Sequence, residues 1–114
     1  METTSHNSAF VNVTLSITKI NGKYPLYDLK RVAAGDWVMT EEAASTIKYL
    51  FPVKANEVLG VFEVESFTRN NDGRVRFKLK NIYQGSLRLM NEAHEEAART
   101  NYVVKYFNIN EQNI

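Results

Sequence analysis

The sequence predicts an α+β domain: a small curved, mostly antiparallel β-barrel of five or six strands with two or three short flanking helices. Three observations carry that expectation. Apolar and polar residues alternate in several short segments, apolar residues recur at helical spacing in others, and turns rich in Asn and Gly separate strands closely enough for antiparallel succession. At 114 residues, 44% apolar and 24% charged, the chain is the size of one domain and can bury a core without metal or disulfide staples.

The elements follow in order. From Phe10 to Thr18, Val11, Val13, Leu15 and Ile17 alternate with Asn12, Thr14, Ser16 and Thr18, the pattern of a half-buried strand. Asn21-Gly22 marks a tight turn, since both residue types tolerate positive φ. In YPLYDLKRVAAGDWVM, Pro25 suits a first helical position, Leu26, Leu29, Val32 and Ala33 fall at helical spacing, and Gly35 ends the helix. Asp36 to Met39 reads as a short strand. Thr40 is the expected N-cap of a helix from Glu41 to Leu50, with two acids where the helix dipole favours them, and Pro52 stops it.

Glu57 to Thr68 is the longest strand candidate, apolar on both faces at its start, with Glu63 and Glu65 emerging onto one face later. RNNDG turns the chain, and Arg74 to Lys80 returns antiparallel. Ser86 to Thr100 contains a helix with Asn91 as N-cap. Asn101 to Ile109 is a last strand, with Tyr102, Val104, Tyr106 and Asn108 on one face and Val103, Lys105, Phe107 and Ile109 on the other. One domain therefore spans 9–109 between polar ends, 1–8 and 110–114.

Fourteen Lys and Arg against thirteen Asp and Glu give a net charge of +1, so a surface for a polyanion must come from segregation of charge. Segregation is present: NNDGRVRFKLK carries +3, and Glu92 to Arg99 carries −2. In the first, Arg74, Arg76, Lys78 and Lys80 alternate with Val75, Phe77 and Leu79. A four-residue loop at Asn70 to Gly73 sets Arg69 opposite Arg74, Glu65 opposite Lys78 and Glu63 opposite Lys80. The two lysines are then counter-charges, worth roughly 0.2–1 kcal/mol per pair. Arg69, Arg74 and Arg76 gather near Phe67, and an aromatic face beside a guanidinium suits base stacking and single-strand tracks. Lys30 and Arg31 lie late in the first helix, where cations also complement its dipole. The single tryptophan, Trp37, either fills the core or lines a pocket and stacks on a planar ligand.

Three of these segments, YPLYDLKRVAAGDWVM, ANEVLGVFEVESF and DGRVRFKL, resemble in order and rough spacing the PUA-like superfamily, which includes the ASCH, EVE and YTH groups. NIYQGSL and NYVVKYFNI are similar to the later turn and closing strand of small PUA-like domains, so the resemblance covers about 10–109. It implies a small curved barrel whose pocket or groove reads RNA, or a modified base in RNA or DNA. Lys30, Arg31 and Trp37 match the turn region, and Arg74 and Arg76 the return strand. The sequence departs from the family in two respects. The Gly-x-Lys-x-x-Glu-x-Arg pattern of ASCH domains is missing, and an aromatic cage of the YTH kind would need Tyr27, Tyr83 or Tyr102 beside the one Trp.

Several chemistries lack their residues. There is no cysteine, and no Walker loop, dinucleotide fingerprint or G-x-S-x-G. His6 lies in a polar tail, and His94 in NEAHEEAAR has Met90 and Ala98 at its i±4 positions, so no metal pair forms there. Glu63 and Glu65 share a face, but cationic partners keep them ionised, the wrong state for a general acid. The sequence thus reads as a non-catalytic binding module, without cofactor or metal, for nucleic acid or a nucleotide-like ligand. Its expected site residues are Lys30, Arg31, Trp37, Phe67, Arg69, Arg74 and Arg76. The alternatives are a protein–protein module, such as a self-associating accessory or phage-type inhibitor pairing as a homodimer through a sheet edge, and a metal-independent ribonuclease using Lys and Tyr. No run approaches the roughly 20 apolar residues of a membrane span and the polar start lacks a signal-peptide pattern, so no membrane partner and a cytoplasmic location are expected.

Overall fold

Strand β1, Ser8–Asn12, is buried from Ser8 to Val11 because it has a neighbour on each edge and packing on each face. The structure, a computed structural model, describes residues 6–13, 19–55, 57–82 and 103–110. The remaining elements are α1 (Leu26–Ala33), β2 (Gly35–Trp37), α2 (Glu41–Thr46), β3 (Tyr49–Lys54), β4 (Glu57–Val58), β5 (Phe62–Arg69), β6 (Val75–Asn81) and β7 (Val104–Phe107). They form one curved mixed sheet, a half-barrel with strand order β2-β6-β5-β3-β1-β7, in which β4 also pairs with β3. The pairing of β1 with β3 is parallel and the others are antiparallel. The expected α+β class, curved and mostly antiparallel with short helices, is therefore what the chain adopts.

Two cores lie on opposite faces of the sheet. Ala9 and Val11 meet Leu29, Val32 and Ala33 of α1, Ala44 of α2, and Phe62, Val75, Phe77 and Leu79. Phe10 joins Phe51, Val53, Val58 and Val61. Phe107 stacks on Phe10 with ring centroids 4.1 Å apart. The strand expected over Asn101 to Ile109 is Val104–Phe107, with 101–102 outside the described residues; along it and just after it the faces divide as the alternation predicts, Val104 and Tyr106 packing on the first core and Phe107 and Ile109 on the second.

Local signals place several elements correctly. Asn21 and Gly22 both have positive φ, and Ile20 and Lys23 exchange backbone hydrogen bonds across them. The Thr40 hydroxyl accepts from the Ala43 N–H at 3.1 Å, capping α2. Pro25 stands one residue earlier than expected, as the N-cap of α1.

Other expectations are corrected. The first strand begins at Ser8 rather than Phe10, and it is buried on both faces over Ser8 to Val11. The strand expected at Asp36 to Met39 is Gly35–Trp37. The helix expected to reach Leu50 ends at Thr46, and Tyr49–Lys54 is a strand with Pro52 inside it. Pro52 is tolerated because β3 changes partner there. Tyr49 and Leu50 pair with β5, Val53 and Lys54 with β4, and the missing donor falls in the gap between them. The Pro52 carbonyl still accepts from Leu59 at 2.8 Å. For the same reason the single strand expected over Glu57 to Thr68 is split into β4 and β5. The expected helix within 86–100, Tyr83, His94, Tyr102 and the stretch 14–18 lie outside the described residues.

Asn7 ties the start of β1 to the residues that follow β7 and to the start of β3. Its side-chain amide donates to Ile109 O and accepts from Ile109 N, both at 2.9 Å, and its oxygen also accepts from the buried Ser8 hydroxyl. Its backbone carbonyl receives the Lys48 and Tyr49 amides. Asn7→Ala is expected to lower unfolding free energy by about 1–3 kcal/mol in urea titration, since a buried hydroxyl and two backbone groups lose partners. Burial raises the Tyr106 phenol above its ordinary pKa. The neutral ring is favoured in the fold, so this contribution is complete below the unfolded pKa near 10 and is lost as pH rises through the higher folded value. Tyr106→Phe should therefore lose less stability than the parent chain as pH rises past about 10, as measured by denaturant titration on either side of that pH.

Candidate functional site

Beyond Val64, whose amide still donates to Lys48 O at 2.8 Å, β5 parts from β3, and the far half of the hairpin is joined to the sheet through the pairing of β6 with β2. Val75, Phe77 and Leu79 turn into the core, and Arg76, Lys78 and Lys80 are exposed between them. Glu63 pairs with Lys80 and Val64 with Leu79, as the alternation requires. A bulge between Val64 and Ser66 then shifts the register by one residue. The loop consequently holds Asn70 to Arg74, and Arg69 faces Val75 rather than Arg74. Phe67 faces Phe77, with ring centroids 6.4 Å apart and edge to face, while Arg76 faces Thr68.

Each cation of the hairpin has a carboxylate beside it. The separations are 3.5 Å for Arg69 and Glu41, 3.7 Å for Arg74 and Asp72, 3.6 Å for Arg76 and Asp36, 3.6 Å for Lys78 and Glu65, and 3.2 Å for Lys80 and Glu63. Asp36 also accepts from the Asn70 amide at 2.7 Å, and Asp72 accepts from the Arg74 backbone N–H. These pairs lie at the surface, where each contributes on the order of 0–1 kcal/mol. They position the cations without locking them.

The hairpin carries an open groove of about 270 Å³ lined by Ser66, Phe67, Thr68, Arg76, Phe77 and Lys78. Two of the expected site residues, Phe67 and Arg76, line it. Arg69 and Arg74 sit at the tip outside the lining. Ser66, Thr68, Phe77 and Lys78 were not expected at a site; their signal in the sequence is shared membership of one hairpin, which becomes specific only once the bulge is known.

The other expected residues lie elsewhere. Lys30 and Arg31 occupy the last turn of α1, Arg31 3.9 Å from Asp28. Trp37 is 8% exposed and belongs to the first core, and its indole N–H donates to Ala33 O at 2.8 Å. The ring supports α1 and offers no open face for stacking. Gly35 is required beside it: φ is +146°, and a Cβ would meet Val75 O at 2.9 Å. Phe77 N donates to Ala34 O, so the end of α1 and the groove adjoin. Among the described residues, no three His, Asp or Glu side chains converge as a cation site, and no helix is long and apolar enough to cross a membrane.

Comparison with protein families, curated proteins and solved structures gives no significant match. Trp37→Phe should cost about 1–2 kcal/mol through the lost indole bond and volume, a fall in thermal midpoint on the order of 5–10 °C by circular dichroism.

Proposed function

We propose that this chain is a binding module of PUA-like character that engages single-stranded nucleic acid, or a nucleotide-like segment of it, through the β5–β6 groove. The observation that carries this reading is the groove itself, lined by Ser66, Phe67, Thr68, Arg76, Phe77 and Lys78, with the cations and hydroxyls on the outer face of the hairpin and the half-exposed Phe67 on the face it shares with Phe77. Its 270 Å³ falls just below the roughly 300–1,000 Å³ of sites that enclose a whole small ligand. That size suits part of a polymer crossing the surface. Phosphate replaces Asp36 and Glu65 as the partner of Arg76 and Lys78, an exchange made inexpensive by the weakness of exposed pairs. Phe67 supplies an aromatic edge or face to a base. No reacting group is invoked.

Fluorescence anisotropy with labelled single-stranded RNA and DNA at two salt concentrations tests the reading. The parent chain should bind more weakly as salt rises, and Arg76→Ala/Lys78→Ala should weaken binding at least about tenfold and shallow the log–log salt slope by about one. Absence of binding to both strands and to modified duplexes at low salt would overturn it. A salt-insensitive, concentration-dependent self-association instead would favour the protein–protein alternative.

A further inference from the structure

The pairing of charges on the hairpin throws the rest of the basic surface into relief. Lys19, Lys23 and Lys30 have no described carboxylate within ion-pair distance, and Arg31 reaches only Asp28, at 3.9 Å. All four belong to KINGKYPLYDLKR, residues 19–31, which carries four cations against one acid. The same stretch contains three exposed large apolar residues, Ile20 at 62%, Leu26 at 41% and Tyr27 at 72%. Tyr27, Lys30 and Arg31 stand at i, i+3 and i+4 of α1, hence on one face, while Leu29, Val32 and Ala33 turn into the core. The turn adjoins this helix. Lys19 Nζ lies 5.1 Å from the centre of the Tyr24 ring, one residue before Pro25 at the N-cap.

We infer that this outward face, together with the turn that precedes the helix, is a second part of the nucleic-acid footprint, in which Tyr27 is the stacking platform and Lys19 and Lys23 of the turn and Lys30 and Arg31 of α1 contact phosphates. The inference rests on the nucleic-acid reading above and places its electrostatic weight on residues other than the hairpin comb. Cations without carboxylate partners can meet phosphate without first surrendering an internal pair, so each contributes fully to counterion release. The paired cations of the hairpin contribute less. An exposed tyrosine one helical turn from two cations is also the arrangement that holds an unpaired base by its face while its backbone is neutralised. Bases inside a duplex present no such face, so the ligand class is single-stranded RNA or DNA. Trp37, which the sequence nominates for stacking, is enclosed, and Tyr27 occupies the open position ten residues earlier.

The test uses the full chain, labelled oligo(U) and oligo(dT), and a salt series. Tyr27→Ala should weaken binding by roughly 5- to 100-fold, while Tyr27→Phe retains most of it. Replacing Lys19, Lys23, Lys30 and Arg31 together by Gln should shallow the log–log slope by about three, more than the Arg76/Lys78 double variant does. These side chains are at the surface, and circular dichroism confirms that each variant folds. If the parent binds and both α1 variants bind equally with the same slope, the inference fails while the nucleic-acid reading stands. If the parent binds neither strand, both fail. Binding of the parent to phosphatidylserine vesicles but to neither oligonucleotide, lost in the same variants, overturns the nucleic-acid assignment in favour of an anionic lipid surface.

Discussion

The structure depends on one constraint: β1 must bury both of its faces and both of its edges. Ala9 and Val11 need cover on one side, Phe10 on the other, and the backbone of the strand needs partners in both directions. The partner on one edge, β3, runs parallel to β1. A parallel neighbour cannot be reached by a tight turn, so the chain makes a long crossover through residues 13–48. That crossover contains α1, β2 and α2. Its inner side supplies Leu29, Val32, Trp37 and Ala44 to the core, and its outer side is what remains for solvent or a ligand. The basic and aromatic face of α1 is thus the exterior of a connection that the burial of β1 requires.

What could be read from the sequence was whatever is decided within a few residues. The alternation of Val75, Phe77 and Leu79 with cations, the Asn21-Gly22 turn, the Thr40 cap and the two faces of β7 all express local sterics and one buried side. Strand β3 escaped because YLFPV is a short apolar run with a proline, and its identity comes from β1 alongside it, forty-one residues away in the chain. The two-sided burial of β1 was hidden for the same reason. The hairpin register was legible at Glu63 and Lys80 and was lost at the bulge near Glu65, which no residue type announces.

The candidate site was less legible than the fold. Counting charges along NNDGRVRFKLK identifies four cations and one acid, yet the carboxylates that face Arg69 and Arg76 come from α2 and β2. A run that is strongly basic in sequence is thereby compensated in space. The opposite holds for residues 19–31, where the cations are spread along the chain and the sequence nominates Lys30 and Arg31 but neither Lys19 nor Lys23. Folding places them on a turn and a helix face with few acids nearby. The net charge of +1 conceals both facts.

The point at which β3 begins has a consequence beyond its own strand. Because β3 starts only at Tyr49, β5 is held to it only near Tyr49 and Leu50, and everything from Ser66 to Arg69 has β6 as its sole neighbour in the ladder. The far half of the hairpin is therefore carried from its other side, where Val75 and Arg76 of β6 pair with Trp37 and Gly35 of β2 and the Phe77 N–H reaches Ala34 O. Two side-chain ties brace the tip, Arg69 to Glu41 on α2 and Asn70 to Asp36 on β2. A load placed on the tip thus passes to β2, α2 and the end of α1 rather than to β3, and the place where α2 gives way to β3 decides which elements register an event there.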